Sequence, residues 1–376
     1  MANTLTALAP TLFSAAKKVA NEPAAAISAI NMSFDNKGVA IGDYVTVPIA
    51  PTRSVSAYTP SMTTTAGADA TATSVDVAIT ANNHVSWQLS GEQSRSLDNG
   101  GINQEWVGQL VSQGMRSLRN AAEADALVAI KEGASRAYGT AGTTPFASDL
   151  SALTNARKIL VDNGAPLADM SCIYDSAAGL NLSNLGIVQQ AYQAGSDAER
   201  RSGNLGRQFG FNLATSGGIA THTKGTGSGY LVNNASGYSV GDTAITVDTG
   251  TGTVLAGDIV TFAGDSNKYV VASALASNVV TLAEPGLRAA LADNAAMTVG
   301  SNYVANVAFE RSAVVGIVRP PLIPANANMS QLPISDSFGM SYLLVDIVGD
   351  GMRTWRLHLA HGFKAVNSAF AAVILG

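Results

Sequence analysis

The chain has 376 residues, enough for two or three domains, with 47% hydrophobic and only 13% charged residues, about half of the ~25% usual in soluble domains. Its 22 basic and 27 acidic residues leave a net charge of −5. No basic run occurs, which argues against tight binding to a phosphate backbone, and the single Cys172 excludes an intrachain disulfide framework and a cysteine metal cluster.

Low charge with abundant Ala, Gly, Ser and Thr suggests that much of the surface is buried against other copies. A secreted β-rich protein with a Thr/Ser surface has the same composition. The N-terminus does not read as a secretory signal, because Lys17 and Lys18 follow the apolar residues. No run approaches the ~20 apolar residues of a membrane span.

In chain order, Leu5, Leu8, Leu12, Ala16 and Val19 predict a short amphipathic helix ending near Pro23. It has no local partner, so this arm is expected to dock on its own body or on a neighbour. From Gly42 the period becomes two. GDYVTVPI (42–49), SVDVAIT (74–80) and NHVSWQLS (83–90) read as strands. The low-charge stretch 55–72 lies between the first two and is expected to be the tip of an extended hairpin.

The longest element is a helix from Asn103 to about Glu132. Asn103 is a good N-cap, Glu105 suits the positive end and Lys131 the negative end, and Gly133 offers a left-handed stop. Trp106, Val107, Leu110, Val111, Leu118, Ala121, Ala122 and Val128 are read as the buried stripe. Gln109, Arg116, Arg119, Asn120 and Glu123 are read as the opposite face, with Asp125 interrupting the stripe. At 1.5 Å per residue this helix is on the order of 40 Å long, a spine for a flat or elongated molecule.

A second helix is expected from Ser148 or Asp149 to Gly164, with Leu150, Leu153, Ile159 and Leu160 inward. The strand MSCIYD follows, with Cys172 as a small buried residue, then a helix over 183–194 and a glycine-rich, strand-like piece over 200–229. Residues 228–302 form a compositional island. Gly-Asp turns separate short strands (TAITVDT, DIVTFAG, KYVVASA, VVTLAE, AMTVG), which predicts a small barrel or sandwich inserted as a unit. Beyond it, Trp355, Leu357 and Leu359 alternate with Arg356 and His358 in a half-buried strand, and AAVILG closes the chain as a buried one.

Chemical motifs are sparse. Asp248-Thr249-Gly250 matches an aspartic-protease triplet, but that chemistry needs two carboxylates and no second triplet occurs, so a hairpin turn is the expectation. Gly225, Gly227 and Gly229 lack the following helix that a phosphate cradle needs, and read as a linker into the island. His358 and His361 are three apart in a period-two segment, so they should face opposite sides and share no metal. The chain has no Gly-x-Ser-x-Gly, Walker loop or His-Glu-x-x-His. Nothing argues for an enzyme, and no catalytic, cofactor-binding or metal-ligating residue is assigned.

The order of parts resembles the major capsid proteins of tailed phages. It is most similar in layout to the coat family of short-tailed enterobacterial phages that carries an insertion domain. GDYVTVPIAP before the hairpin, VSWQLSGEQ before the spine, GRQFGFNLATSGGIATHTKGT before the island, NVAFERSAVVGIVRPPLIP after it, and the closing RLHLAHGF and VILG carry the likeness. The resemblance implies an α+β chain of the Hong Kong 97-type capsid fold: a long spine helix, an extended β-hairpin loop and a mixed axial domain, with an inserted small all-β domain. Its parts would be an N-terminal arm (1–32), the extended loop with flanking strands (33–100) and the spine helix of the peripheral domain (101–139). The axial domain (140–227), the inserted β-domain (228–302), the axial return (303–330) and the peripheral strands with the C-terminus (331–376) would follow.

The implied function is a structural protein that self-assembles, by way of a procapsid, into an icosahedral virion shell enclosing double-stranded DNA. Hexamers and pentamers of the chain, a scaffolding protein, a portal and non-specifically held DNA are the implied partners, with no membrane and no cofactor. Assembly would take place in the host cytoplasm. Leu5, Leu8, Leu12, Phe13, Arg53 and Tyr58 are the expected inter-subunit contacts. The family tends to carry Arg-x-Asp-x-Leu-Tyr-Gly near its end, whereas this chain has Arg356-Leu-His358-Leu-Ala-His361-Gly362, which removes the usual acid. No lysine lies between Lys37 and Lys131, so the loop-lysine crosslink of some members of the fold is not expected. The alternative reading is a virion or cell-surface binding protein with the island as a carbohydrate-binding module.

Overall fold

A computed structural model of the chain describes residues 24–34, 40–49, 60, 73–99, 103–186, 206–324, 328–336 and 339–376. The expected arm helix, the hairpin tip apart from Pro60, and most of the expected helix 183–194 lie outside the described residues.

The chain begins with α1 (Ala25–Ala29), β1 (Asn31–Phe34), β2 (Tyr44–Ile49), β3 (Thr73–Ala78), β4 (Ala81–Ser90), α2 (Gly91–Asn99) and α3 (Asn103–Glu132). Next come β5 (Arg136–Gly139), α4 (Ser151–Asp162), β6 (Met170–Tyr174), α5 (Ser176–Asn184), β7 (Arg207–Gln208), β8 (Phe211–Thr215) and β9 (Thr221–His222). Six short strands follow: β10 (Tyr230–Val232), β11 (Ala244–Asp248), β12 (Ile259–Phe262), β13 (Lys268–Ala276), β14 (Val279–Leu282) and β15 (Ala296–Val299). The last are β16 (Tyr303–Glu310), β17 (Val314–Arg319), β18 (Met329–Ser335), β19 (Ser341–Val348), β20 (Met352–Ala365) and β21 (Ala371–Leu375). The class is mixed α and β.

The helix α3 has the expected bounds, and Val107, Val111, Leu118 and Ala122 of the expected stripe are buried, but other residues complete it. Val107, Val111, Met115, Leu118 and Ala122 are buried in the core beneath one sheet; Ala126, Leu127 and Ile130 enter the next core. A straight α-helix turns about 100° per residue, so a stripe spaced mostly by four winds around the axis. That winding corrects two expectations. Trp106 and Val128 end on the outside, 43% and 39% exposed, while Arg119 and Glu123, read as solvent-facing, are buried. Gly133 does not take the expected left-handed φ; it is needed because a Cβ there would overlap the Ala365 methyl of β20.

Beneath the first half of α3 lies a sheet ordered β1-β17-β20-β19-β18, with β4 also on β20. The 14-residue β20 pairs along one edge with β4, Met352 opposite Ser90 through His361 opposite Ala81. Its other edge is shared between β19 and β17. Trp355, Leu357 and Leu359 alternate toward α3 with Val85, Trp87 and Leu89 of β4, as period two requires. The hairpin β2–β3 is a separate two-stranded sheet in register from Tyr44 opposite Ala78 to Ile49 opposite Thr73. Its root rests on Val315, Ile317 and Ala360 through Val77 and Ile79.

The larger sheet runs β12-β15-β10-β11-β14-β13-β5-β21-β16-β6-β8-β7, with β9 on β16. Within it β12 also pairs with β13, so β10 to β15 close into a six-stranded antiparallel ring around Val232, Ile245, Val260, Tyr269, Val280 and their neighbours. Of the two expected forms, barrel or sandwich, the pairing is that of a barrel. The chain enters and leaves it side by side, since His222 pairs with Tyr303. The ring is also hydrogen-bonded to the rest of the sheet, through Lys268 opposite Ala137 and Tyr269 opposite Arg136.

β17 joins the six-stranded sheet through β20 and β1, and β21, at the C-terminus, lies between β5 and β16. A 3-10 turn at Arg311–Ala313 redirects the chain, with the Glu310 carboxylate accepting from the Ser312 amide at 2.9 Å. Ahead of the expected helix 183–194, of which only 183–186 are described, the helix α5 starts at Ser176. Asp175 caps it by accepting from the Ala177 and Ala178 amides, and only Ala178 and Leu182 are buried along it, which leaves no stripe to read.

Candidate assembly surface

Three buried polar junctions fix how α1, α3, α4 and the ring meet, and a fourth braces the six-stranded sheet. In the first, the Glu123 carboxylate accepts from the Ala26 and Ile27 amides at 2.8 and 3.1 Å and from the Ser216 hydroxyl at 3.0 Å. The first-turn amides of α1 have no partner within their own helix, so a carboxylate there satisfies them and complements the positive helix end. One side chain thus ties α1, α3 and the loop after β8 together.

In the second, Lys131 Nζ lies 3.1 Å from His222 Nδ1, and His222 Nε2 lies 2.9 Å from Asp258 Oδ1. A lysine ammonium only donates, so Nδ1 accepts and Nε2–H donates to the carboxylate. Asp258 is fully buried and also accepts from the Gly225 and Leu255 amides, the latter at 2.7 Å. A Cβ at Gly225 would overlap the Thr253 carbonyl. The Gly-x-Gly-x-Gly run therefore allows backbone to approach backbone, and no helix begins there. Nearby, the buried Tyr303 hydroxyl donates to the Gly257 carbonyl at 2.6 Å; burial, then the Asp258 and Glu132 charges, raises its pKa.

In the third, Arg136 of β5 reaches Asn267 Oδ1 at 3.2 Å and Asp162 Oδ2 at 3.6 Å, sealing the ring against α4. Burial and the neighbouring Arg288 lower its pKa, partly offset by Asp162. In the fourth, Arg353 grips the buried Asp346 through two bonds of 2.9 and 2.7 Å and lies over the Trp355 ring. Such bidentate, partly desolvated pairs are the stronger kind.

The two late histidines face opposite sides, as their spacing predicts. His361 Nε2 lies 2.8 Å from Asp125 Oδ2 of α3, whereas His358 stacks on His84 with ring centroids 5.3 Å apart. Burial, His84 and Arg356 lower the His358 pKa to about 4. Where the resemblance expects an acid, this imidazole pairs with another imidazole. Asp248 ends β11 at a turn, with Thr249 at φ 55°. Among the described residues no group of three or more His, Cys, Asp or Glu could hold a metal, and no helix is long and apolar enough to cross a membrane.

No protein-family model matches the chain, and neither does any curated protein. Solved structures do. The chain is similar to one from the capsid of the cyanophage P-SCSP1u, with TM-score 0.48 and 11% identity over 92% of this chain and 86% of that one. A chain from Mycobacterium phage Che8 gives 0.47 and 12% over 89% and 85%. One from the virus-like particle of Pyrococcus furiosus gives 0.44 and 8% over 97% and 98%.

All six expected contact residues, Leu5, Leu8, Leu12, Phe13, Arg53 and Tyr58, lie outside the described residues. What the structure adds is the set Glu123, Lys131, Arg136, His222 and Asp258, to which the sequence reading gave no structural partner. Arg119 and Glu123, one turn apart, looked like a solvated pair, and Asp258 looked like one more Gly-Asp turn. Among the described residues, the most exposed large apolar side chains are Leu322 at 74%, Ile41 and Tyr44 at the hairpin root at 64% and 63%, Leu180 at 63% and Val240 at 61%.

Proposed function

We propose that this chain is the major capsid protein of a tailed phage, with the Hong Kong 97-type fold and an inserted β-domain formed by the ring β10–β15. Copies assemble as hexamers and pentamers, through a procapsid and with a scaffolding protein and portal, into an icosahedral shell around double-stranded DNA. The observation that carries the reading is the root of the hairpin. β2 and β3 leave the body as an independent two-stranded ribbon with Ile41 and Tyr44 exposed at its base, beside a 30-residue helix laid across a sheet. A ribbon that packs on the body along Val45, Val47, Val77 and Ile79 gains the rest of its burial from another copy. The residues 1–32 act as an arm, and Leu5, Leu8, Leu12, Phe13, Arg53 and Tyr58 make contacts between subunits. Net charge −5 lets enclosed DNA slide without a sequence-specific grip. The role is structural, with no catalysis, and is performed in the virion after assembly in the host cytoplasm.

Negative-stain imaging of the chain co-expressed with its scaffold tests this reading. Closed shells of uniform diameter are expected, and deletion of residues 1–20 should leave folded subunits that do not close. A monomer or trimer that binds glycans would replace this reading with that of an adhesin.

A further inference from the structure

We propose that His84 and His358 form a binding site for a divalent transition-metal ion that clips β4 to β20. The two residues are directly opposite each other in the antiparallel register, so both side chains stand on the face of the sheet away from α3. Their rings are stacked, with centroids 5.3 Å apart and planes inclined by 27°. Opposed residues on neighbouring strands have Cβ atoms about 5 Å apart, which places two imidazoles within chelating reach of one ion.

Tetrahedral coordination at about 2.05 Å per nitrogen needs the two nitrogens roughly 3.3 Å apart. His84 is exposed, so the adjustment falls on the side chain with the least packing to lose. Imidazole suits Zn²⁺, Ni²⁺ and Cu²⁺, and water would complete the shell. Arg356, two residues along the same face, opposes a cation, so affinity should be modest, on the order of 10 µM.

The chain offers an unusually clean background for this chemistry. It has four histidines, and the other two are buried and committed: His222 to Lys131 and Asp258, His361 to Asp125. Cys172 is buried as well. The clip would also have a mechanical consequence. β4 carries the chain from the hairpin toward α3, and β20 is its one strand partner among the described residues. An ion held by both strands stabilises the paired state in proportion to its occupancy.

The test uses the full chain without an affinity tag, titrated calorimetrically with Zn²⁺ or Ni²⁺ in a non-chelating buffer. Electron paramagnetic resonance of the Cu²⁺ complex runs alongside. One ion per chain is expected, with nitrogen hyperfine structure from two imidazoles. His84→Ala and His358→Ala should each weaken binding by at least about tenfold. Circular dichroism should be unchanged for His84→Ala, because that side chain is exposed. Absence of binding up to about 1 mM, or unchanged binding in both variants, overturns the proposal.

Discussion

Glu123 and Ala26 are 97 positions apart in the chain, yet Glu123 Oε1 accepts from the Ala26 amide at 2.8 Å deep inside the protein. Because the same carboxylate also holds Ile27 and Ser216, its removal strands three buried donors. Glu123→Ala should cost about 3 kcal/mol, and Glu123→Gln less, since one oxygen remains to accept. Urea unfolding of each variant measures this. A cost below that of an ordinary surface substitution would show that α1 docks on α3 by apolar contact alone.

A parallel argument applies to Asp258, where three donors converge on a fully buried carboxylate. Asn in its place brings an amide donor toward donors. Asp258→Asn should therefore destabilise by about 2–3 kcal/mol. Nitrogen-detected NMR of His222 should show the Nε2–H tautomer in the parent and in the variant alike, because Lys131 still donates to Nδ1.

How far these junctions could be read in advance depended on what each residue's neighbours along the chain reveal. The helix α3 was legible from Asn103 to Glu132 because cap, period and basic end agree. The ring was legible because alternation and Gly-Asp turns recur. Burial of Arg119 and Glu123 was not, because it depends on α1 and the loop after β8 crossing that face. The partners of β17 and β21 were hidden for a similar reason: an apolar run reports burial and says nothing of its neighbour strand. β5, four residues long directly after a helix stop, carries no period to read.

Cys172 makes the stability pH-dependent in a direction that can be worked out. Burial raises its thiol pKa from 9.0 to about 12. Between those values the unfolded chain has lost a proton that the native chain keeps. Stability is therefore full below pH 9 and falls as pH rises toward 12, by at most about 1.4 kcal/mol per unit. Buried tyrosines add to the fall above pH 10, and since the Cys172 charge helps raise the Tyr174 pKa, the comparison is made below that. The difference between the parent and Cys172→Ala, measured by denaturant unfolding, should shift between pH 8 and 10. A constant difference would mean that the native thiol ionises normally.

Asp248 offers a sharper test of the protease-like triplet. Its Oδ1 is buried and has no hydrogen-bond partner, at the end of a strand. Asp248→Asn should change stability by no more than about 1 kcal/mol and leave assembly intact. A peptide-cleaving activity lost in that variant would revive the catalytic reading.

The ring β10–β15 provides the last prediction. Its pairing is closed, most of its core is its own, and its two ends meet at His222 and Tyr303. A fragment of residues 228–302, about 75 residues, is small but within the range that folds alone, so dispersed amide resonances of β structure are expected. It should be less stable than in the whole chain, because Asp258 leaves behind His222 and Gly225, and Tyr269 leaves its β5 partner Arg136. The reciprocal variant joins Lys224 to Tyr303 through a short Gly/Ser linker. It keeps the first half of α3 and the sheet beneath it, whose core includes no ring residue, but takes Ile259 and Val270 from the core that holds Ala126, Leu127 and Ile130. It also exposes one edge of β5 and strands Lys131 and His222 without their carboxylate. That variant should fold with a lower melting temperature and close poorly or into shells of the wrong size. A random-coil fragment, or a remainder that is wholly unfolded, would show that the ring and the body are one cooperative unit, welded through β5 and Asp258.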